Sequence, residues 1–499
     1  MHDLRSNQQT ETASGHEERR LSPDKRYLYL ELFLLFSFLV IIWFHRDARL
    51  SDFGDTWDYA DAKNLLLQRN FAGTITAMRG QTFPALWALS ERFDIHFPLV
   101  AAIFNVMGAL FLIFSVRSFS KQWGHGVAIS VLLILSSVHV FNYHFSHLSE
   151  SAISGCLFAC LGANLLFLKK WRDFEAGLVP FLGLLLAGTV FLIATLVLNS
   201  LKQYFLLWIY GFLGMLILTS LFALLRKRSK QHVYRLLSPL VLFLAVCFIP
   251  QRIYIGPPKT AQDMNYSFFL LSNELETYLG NRLNKVPDGP LRTRFLDIQN
   301  YLHKSKAKCA EEKKSELRCL EFFDPAFGSK KMFFDLFFSD LSGILSLNKL
   351  AFNAWLGTIA LGNFRGPAYS KYFNFGHELF ATFGPLIAFL LILNVFLTVF
   401  NLFKSFKLAT KQRAAEAWFR LVYLSSEGIA IYSFNIFMAI GSALAFDPRV
   451  LLGSYILFVI HTVLLLIDTF GPSVPSSSPP ISHHPEWSGA QAAIPHLNS

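Results

Sequence analysis

Long apolar stretches set the strongest limit on how this chain can fold. The first, YLYLELFLLFSFLVIIWF (27–44), carries one charge in eighteen residues, and similar stretches recur along the 499 residues. About 20 apolar residues are needed for a helix to cross the hydrocarbon core of a bilayer. The chain is 53% hydrophobic and 16% charged, whereas soluble domains carry about 25% charged residues. The sequence therefore predicts an all-α polytopic membrane protein whose first apolar stretch is a retained span.

About ten spans are expected. Basic clusters follow alternate spans, and by the positive-inside rule all of them fall on the cytoplasmic side. The net charge of +11 is thus explained by orientation in the membrane, and nucleic acid is not an expected partner. The predicted spans are 27–44, 98–116, 127–143, 151–168, 177–198, 205–225, 236–250, 378–403, 421–446 and 450–469.

The spans divide the chain into five regions. The polar termini are expected to be disordered, the N-terminal one in the cytoplasm. The extracytoplasmic segment is expected to hold interfacial helices (332–361 is a candidate) and a polar cap. The regions are 1–26, a catalytic transmembrane module at 27–250 with its first outer loop at 45–97, the extracytoplasmic segment at 251–377, C-terminal spans at 378–470, and the tail at 471–499.

The first outer loop presents aspartates directly after the first span. Asp55 and Asp58 fall close together on a helical pattern that would turn Trp57, Ala60 and Leu65 inward. One interpretation is an interfacial amphipathic helix with a solvated acidic face. The other is a catalytic carboxylate held at the membrane surface, since the aspartates lie about ten residues beyond the span, where a lipid headgroup would lie.

A second carboxylate, Glu150, is the last charge before the fourth predicted span, with His144 and His147 beside it. An acid at this position favours the positive end of the helix dipole. Ionisable residues at the ends of spans are also candidates for function. Glu150 is therefore predicted to serve one role or both.

Three basic residues depart from the positive-inside pattern. Lys202, Arg252 and Arg449 each lie at the outer end of a predicted span. Each alone is explained by a side chain that reaches toward the headgroup region. As a set they are predicted to hold a phosphate. With Arg79 and His147 they are the candidate substrate-binding residues.

The cysteines predict no metal site. Cys156, Cys160 and Cys247 fall within spans and are expected to be packing residues. Cys309 and Cys319 lie in the extracytoplasmic segment, where a disulfide and two free thiols both remain open. No paired CxxC motif occurs, and no metal ligands are assigned.

Seven segments together resemble the GT-C superfamily of integral-membrane glycosyltransferases, in particular the bacterial branch similar to protein O-mannosyltransferases and the aminoarabinose transferase. Their order, spacing and sidedness carry the resemblance. Lys202 stands where the family has Arg, Gln251 lies near an expected Trp, and no Arg-Tyr pair occurs at Arg449. The segments are GDTWDYADAKNLL, MRGQTFPALWAL, LSESAISGCLFACLGANLL, NSLKQYFLL, FIPQRIYIG, SNELETYLGN and FDPRVLLGSYIL.

The resemblance implies a GT-C-like fold and transfer of a sugar from a polyprenyl-phosphate-linked donor, with inversion at the anomeric carbon. It assigns Asp55 as the general base, with Asp58 as the rival, and gives Glu150 the role of orienting the acceptor or the base. Lys202, Arg252 and Arg449 would hold the phosphate. The acceptor is a lipid, a glycan or a protein, no cofactor is certain, and a divalent metal ion is an open requirement.

The resemblance favours the bacterial inner membrane, with the site facing the periplasm or exterior. The main rival function is a transporter or flippase of lipid-linked or anionic cargo. Transporters have charged residues, or Gly and Pro residues that interrupt the helix, at the centres of spans. Here the ionisable residues gather at the outer ends of the predicted spans. A non-catalytic membrane assembly factor is a third possibility.

Overall fold

A computed structural model describes residues 23–47, 50, 56–70, 81–118, 121–175, 178–202, 205–226, 230–253, 279–280, 282–311, 339–340, 343, 389, 392–404, 428 and 452–470. These residues are almost all helical, and the part of the chain that they cover contains no β-strand. The helices are α1 (Pro23–Phe44), α2 (Thr56–Leu67), α3 (Thr82–Arg92), α4 (Phe97–Arg117), α5 (Lys121–Ser136), α6 (Val138–Phe141), a 3-10 turn (Asn142–Phe145), α7 (Glu150–Glu175), α8 (Phe181–Leu201), α9 (Leu206–Arg226), α10 (Lys230–Ile253), α11 (Pro290–Glu311), α12 (Ile392–Lys404) and α13 (Leu452–Phe470).

The protein is a helical membrane protein. Within the described residues, five helices are long and apolar enough to cross a bilayer: Lys25–Phe44, Phe97–Arg117, Glu150–Phe174, Phe181–Leu201 and His232–Ile249. Four shorter apolar helices, in α5, α9, α12 and α13, accompany them. The predicted count of ten spans includes 421–446, which lies outside the described residues except for residue 428.

One predicted span is wrong in its bounds. The sequence predicts a continuous helix over 127–143, but α5 ends at Ser136 and the chain continues through the single turn of α6 into the 3-10 turn. The Ser137 hydroxyl donates to the Ile134 carbonyl at 2.6 Å, and the Ser137 backbone N–H donates to the same oxygen. Serine ends helices through such local bonds, which hydropathy alone does not register.

Helix α7 is the centre of the bundle. In its apolar window 89% of the residues are buried, against 17% for α1. It packs on α4, α8, α10 and α13, while α5 packs on α4 and α1. The exposed apolar side chains of α1 and α8 face the surroundings of the bundle, as expected for helices in contact with lipid.

The two ends of the bundle carry different polar groups. The end where α7 begins and α8 finishes is called the Glu150 end, and the opposite one the Arg117 end. At the Arg117 end, the Glu31 carboxylate of α1 is bound by Arg117 and by His125 Nδ1, the latter at 2.6 Å. This buried cluster joins α1, α4 and α5.

The contact between α4 and α7 depends on small residues. A β-carbon added to Gly108 would lie 2.8 Å from the carbonyl carbon of Gly155, and one added to Gly155 would lie 2.9 Å from the Cα of Asn105. Small residues of this kind allow membrane helices to approach closely. The backbones of the two helices therefore touch at this point.

We expect Gly108→Ala to destabilise the protein, because its methyl group can be accommodated only if α4 and α7 move apart. Overpacking of this kind costs roughly 1–3 kcal/mol. The matched control is Gly214→Ala on α9, where a β-carbon meets nothing within 4 Å. Thermal unfolding of the detergent-solubilised protein should show a lower midpoint for Gly108→Ala only, and equal midpoints would contradict this packing.

Candidate functional site

A buried ion pair lies at the Glu150 end. Glu150 opens α7 and Lys202 follows the last residue of α8, and the two side chains meet with Lys202 Nζ 3.0 Å from Glu150 Oε1. The Glu150 side chain is 3% exposed and the Lys202 side chain 17%. Ser149 Oγ donates to the other oxygen of Glu150 at 3.2 Å. Two residues more than 50 positions apart in sequence thus form one charged centre at the ends of two packed helices.

Helix α2 is attached to the segment that precedes this centre. Thr56, the first residue of α2, is buried and donates from its hydroxyl to the His147 carbonyl at 3.3 Å. His147 lies three residues before Glu150. The start of α2, which immediately follows Asp55, is therefore held next to the segment that leads into α7.

Trp87 of α3 joins α2 to the same segment. Its ring stacks on the His147 ring, with centroids 4.1 Å apart and planes 14° apart. Lys63 Nζ of α2 lies 4.5 Å from the Trp87 centroid and 2.5 Å from Glu91 Oε1. A cation–π contact and an ion pair thus hold α2 and α3 together.

Helix α3 also packs on the end of α8. The Thr82 hydroxyl donates to the Val197 carbonyl at 3.1 Å and contacts Ser200 Oγ. Nearby in sequence, Gln81 Nε2 and Asn199 Oδ1 are buried without a hydrogen-bond partner in the described part of the chain. Unpaired buried polar atoms are unfavourable unless a water or ligand binds them. The end of α8 is accordingly polar as well as charged.

A network of hydrogen bonds holds His144 next to α4 and the start of α7. Asn105 donates from Nδ2 to His144 Nε2 at 2.9 Å and to the Ser151 carbonyl at 2.7 Å, while its Oδ1 accepts from the Gly155 N–H. Because Nε2 accepts, the ring is neutral and Nδ1 donates to the Phe141 carbonyl at 3.1 Å. Burial lowers the pKa of His144 to about 4. His144 therefore supports the packing of α4 on α7.

The structure brings together two of the predicted site residues, Glu150 and Lys202. His147 lies three residues before Glu150, and its ring stacks on Trp87. Asp58 lies on α2 and Arg252 near the end of α10, but only their backbones are described. Asp55, Arg79 and Arg449 lie outside the described residues, as does Cys319, and the side chain of Cys309 is not described. The convergence of all the predicted residues thus stays a prediction.

The predicted inward face of α2 is only partly right. Ala60 and Leu65 are half-buried, while the buried face is formed by Thr56, Tyr59, Ala62 and Lys63. A lysine on this face departs from the usual rule that lysine stays in water. Its partners Trp87 and Glu91, which the sequence reasoning missed, supply the aromatic ring and the carboxylate that it needs. Lys63 stands four residues after Tyr59 and seven after Thr56, and this helical spacing is the signal that would have placed it on the buried face.

The described residues hold no group of three His, Cys, Asp or Glu side chains placed for a metal ion. The need for a divalent ion stays open, since Asp55 lies outside that part of the chain. No protein family, curated protein or solved structure matches the sequence or the fold. The geometry thus defines a helical membrane protein with a charged centre at one end of its bundle.

We expect Lys202→Met to destabilise the fold by about 3 kcal/mol, because it leaves the buried Glu150 carboxylate without its cation. The double variant Glu150→Gln/Lys202→Met removes both charges and should recover most of the loss. Thermal and denaturant unfolding in detergent would measure the four members of this cycle. If the double variant lost as much stability as the two single variants lose together, the two charges would not interact.

Acid should destabilise the protein through His144. Between pH 6.5 and 4 the unfolded chain binds a proton at this residue that the folded protein excludes, so stability is greatest above pH 6.5 and falls as the pH drops toward 4. The size of the loss is up to about 3 kcal/mol. His144→Gln should flatten the pH dependence of unfolding in this window. The control His303→Gln, at an exposed position of α11, should keep the wild-type slope, and an unchanged slope in His144→Gln would contradict this assignment.

Proposed function

We propose that the protein is a membrane glycosyltransferase that takes a sugar from a polyprenyl-phosphate-linked donor and transfers it to an acceptor lipid, glycan or protein. The observation that carries the proposal is the contact between Thr56 and the His147 carbonyl. It holds the start of the aspartate-bearing loop against the segment that leads to the Glu150–Lys202 pair. Transfer from a lipid phosphate needs a carboxylate and a cation in one place, at the depth of the headgroup.

In this mechanism an aspartate of the first loop, Asp55 or its rival Asp58, takes the proton from the acceptor hydroxyl. The acceptor oxygen then attacks the anomeric carbon from the face opposite the phosphate. The bond between the anomeric carbon and the phosphate oxygen breaks, and its electron pair stays on the phosphate. Inversion follows because one displacement occurs.

Lys202 would stabilise the negative charge that develops on the leaving phosphate, together with Arg252 and Arg449. Glu150 is better suited to positioning than to proton transfer, because it is buried and its Oε1 lies 3.0 Å from Lys202 Nζ. It would hold the ammonium group in place at the end of α8. His147, stacked on Trp87, would form one wall of the donor site, with Arg79 on the substrate side.

The proposal includes a GT-C-like arrangement of about ten spans, with the Glu150 end facing the exterior of a bacterial inner membrane. Two facts support this arrangement. Helices α2 and α3 pack on each other and lie between α1 and α4 in the chain. The basic residues Arg117, Lys169 and Arg235 all lie toward the Arg117 end. The positive-inside rule makes that end cytoplasmic.

A transporter or flippase is the competing function. It would need a polar path through the centre of the bundle. Within the described residues, α7 is instead packed by apolar side chains and glycines along its length, with Asn164 as its buried polar residue near the middle. The Glu150–Lys202 ion pair, which both functions would use, lies at one end of the bundle, where sugar transfer at the membrane surface would take place.

Activity can be tested with purified full-length protein in detergent, a panel of polyprenyl-phosphate-linked hexoses and aminopentoses, and extracted lipid and glycan acceptors. Asp55→Asn is expected to lower the rate by at least about a hundredfold, as loss of a general base does. Lys202→Gln is expected to lower it by a similar factor through loss of phosphate stabilisation. Release of polyprenyl phosphate is the measured quantity.

Asp61→Asn is the matched control, since Asp61 is exposed on α2 and undergoes the same chemical change. It should retain the wild-type rate. Wild-type rates in both Asp55→Asn and Asp58→Asn would exclude the proposed mechanism. Movement of labelled lipid across vesicles without sugar transfer would favour the flippase.

A further inference from the structure

A groove of about 360 Å³ lies between α2 and α3, apart from the Glu150–Lys202 centre. The groove residues on α3 are three or four positions apart in sequence, so they lie on one face of the helix. Trp87 and Phe83, which pack inward, belong to the other face of α3. The groove is therefore on the side of α3 turned away from His147. Its lining residues are Leu66, Leu67, Arg69, Ala85, Ala88, Leu89 and Arg92.

The walls of the groove are apolar and its charges are two guanidinium groups. Neither Arg69 nor Arg92 forms an ion pair within the described residues. Glu91, next to Arg92 in sequence, is bound to Lys63 instead. The groove thus combines an apolar surface with two guanidinium groups that pair with no carboxylate of the described part of the chain.

Arg69 also stands at a strained backbone position. Its φ is 60°, just beyond the end of α2, and its backbone N–H donates to the Leu66 carbonyl. Glycine or asparagine usually occupies this left-handed position after a helix, because a β-carbon is disfavoured there. An arginine held in such a conformation points to a use for its side chain.

The groove lies beside the ends of two membrane spans. Asp47 Oδ1, just after α1, lies 3.4 Å from Nε2 of His96, just before α4. The end of α1 is therefore close to the start of α4. Phe93 and Ile95, between α3 and α4, are exposed. Exposed apolar residues beside arginines are typical of helices that lie in the headgroup layer.

From these observations we infer that the groove between α2 and α3 binds an anionic phospholipid of the surrounding bilayer. The phosphate of its headgroup lies between Arg69 and Arg92, whose planar guanidinium groups can each donate two hydrogen bonds to phosphate oxygens. The upper part of an acyl chain covers Leu66, Leu67 and Leu89. This site is separate from the proposed transfer reaction, because it lies on the other face of α3.

The test uses the full-length protein in detergent, titrated with short-chain phosphatidylglycerol, phosphatidylcholine or inorganic phosphate. Phosphatidylglycerol should raise the unfolding midpoint saturably, and phosphatidylcholine and phosphate should not. Arg69→Gln/Arg92→Gln should bind phosphatidylglycerol about tenfold more weakly or worse, since charge-assisted hydrogen bonds are lost. Ala85→Trp, which fills the groove and keeps both arginines, should also weaken binding.

The matched control is Arg294→Gln/Lys304→Gln, which removes two exposed positive charges from α11 and should bind like the wild type. Arg69→Gly separates binding from structure, because it relieves the strained φ. It should raise the midpoint without lipid while weakening the binding of phosphatidylglycerol. A lower midpoint with unchanged binding would mean that Arg69 only ends α2. That result, equal responses to all three ligands, or wild-type binding by the double variant would each overturn the inference.

Discussion

The close approach of α4 and α7 is the contact on which the rest of the structure depends. Gly108 and Gly155 let the two backbones touch. The Asn105 amide ties the start of α7 to α4 through two hydrogen bonds and binds His144 of the 3-10 turn through a third. In a membrane the helices gain little from the hydrophobic effect when they associate, so close packing and interhelical hydrogen bonds must hold them. The position of Glu150, the first residue of α7, follows from this packing.

The buried charged residues of the bundle are likewise held by contacts between helices. Buried ionisable groups are costly in an apolar surrounding, and they persist where a partner meets them. Glu31 has Arg117 and His125 at one end, and Glu150 has Lys202 at the other. The first of these pairs joins helices at the basic end of the bundle. The second joins α7 to α8, next to the segment on which α2 and α3 pack through Thr56 and Trp87.

The interfacial pair has two faces with different chemistry. The inner face uses Trp87, His147 and Lys63 to fasten the loop to the bundle. The outer face carries Arg69, Arg92 and leucines along the groove for which a bound lipid is proposed. A loop fastened on one side and bound to lipid on the other would hold its aspartates at a constant depth in the membrane. The lipid groove and the proposed transfer site are thus two consequences of where this pair lies.

The sequence by itself determined that the chain is a helical membrane protein, because runs of apolar residues need only be counted against the thickness of a bilayer. It also determined that Glu150, Lys202 and His147 lie at or next to the ends of helices, since these residues stand at the boundaries of apolar runs. It did not determine that α5 stops at Ser136, where a serine hydroxyl competes for a backbone carbonyl. Only the tertiary structure decided that Lys202 pairs with Glu150, that Lys63 is buried on Trp87, and that Arg69 faces a groove with Arg92. The physical reason is that these contacts join residues of different helices, and their formation depends on how closely and at what height the helices pack.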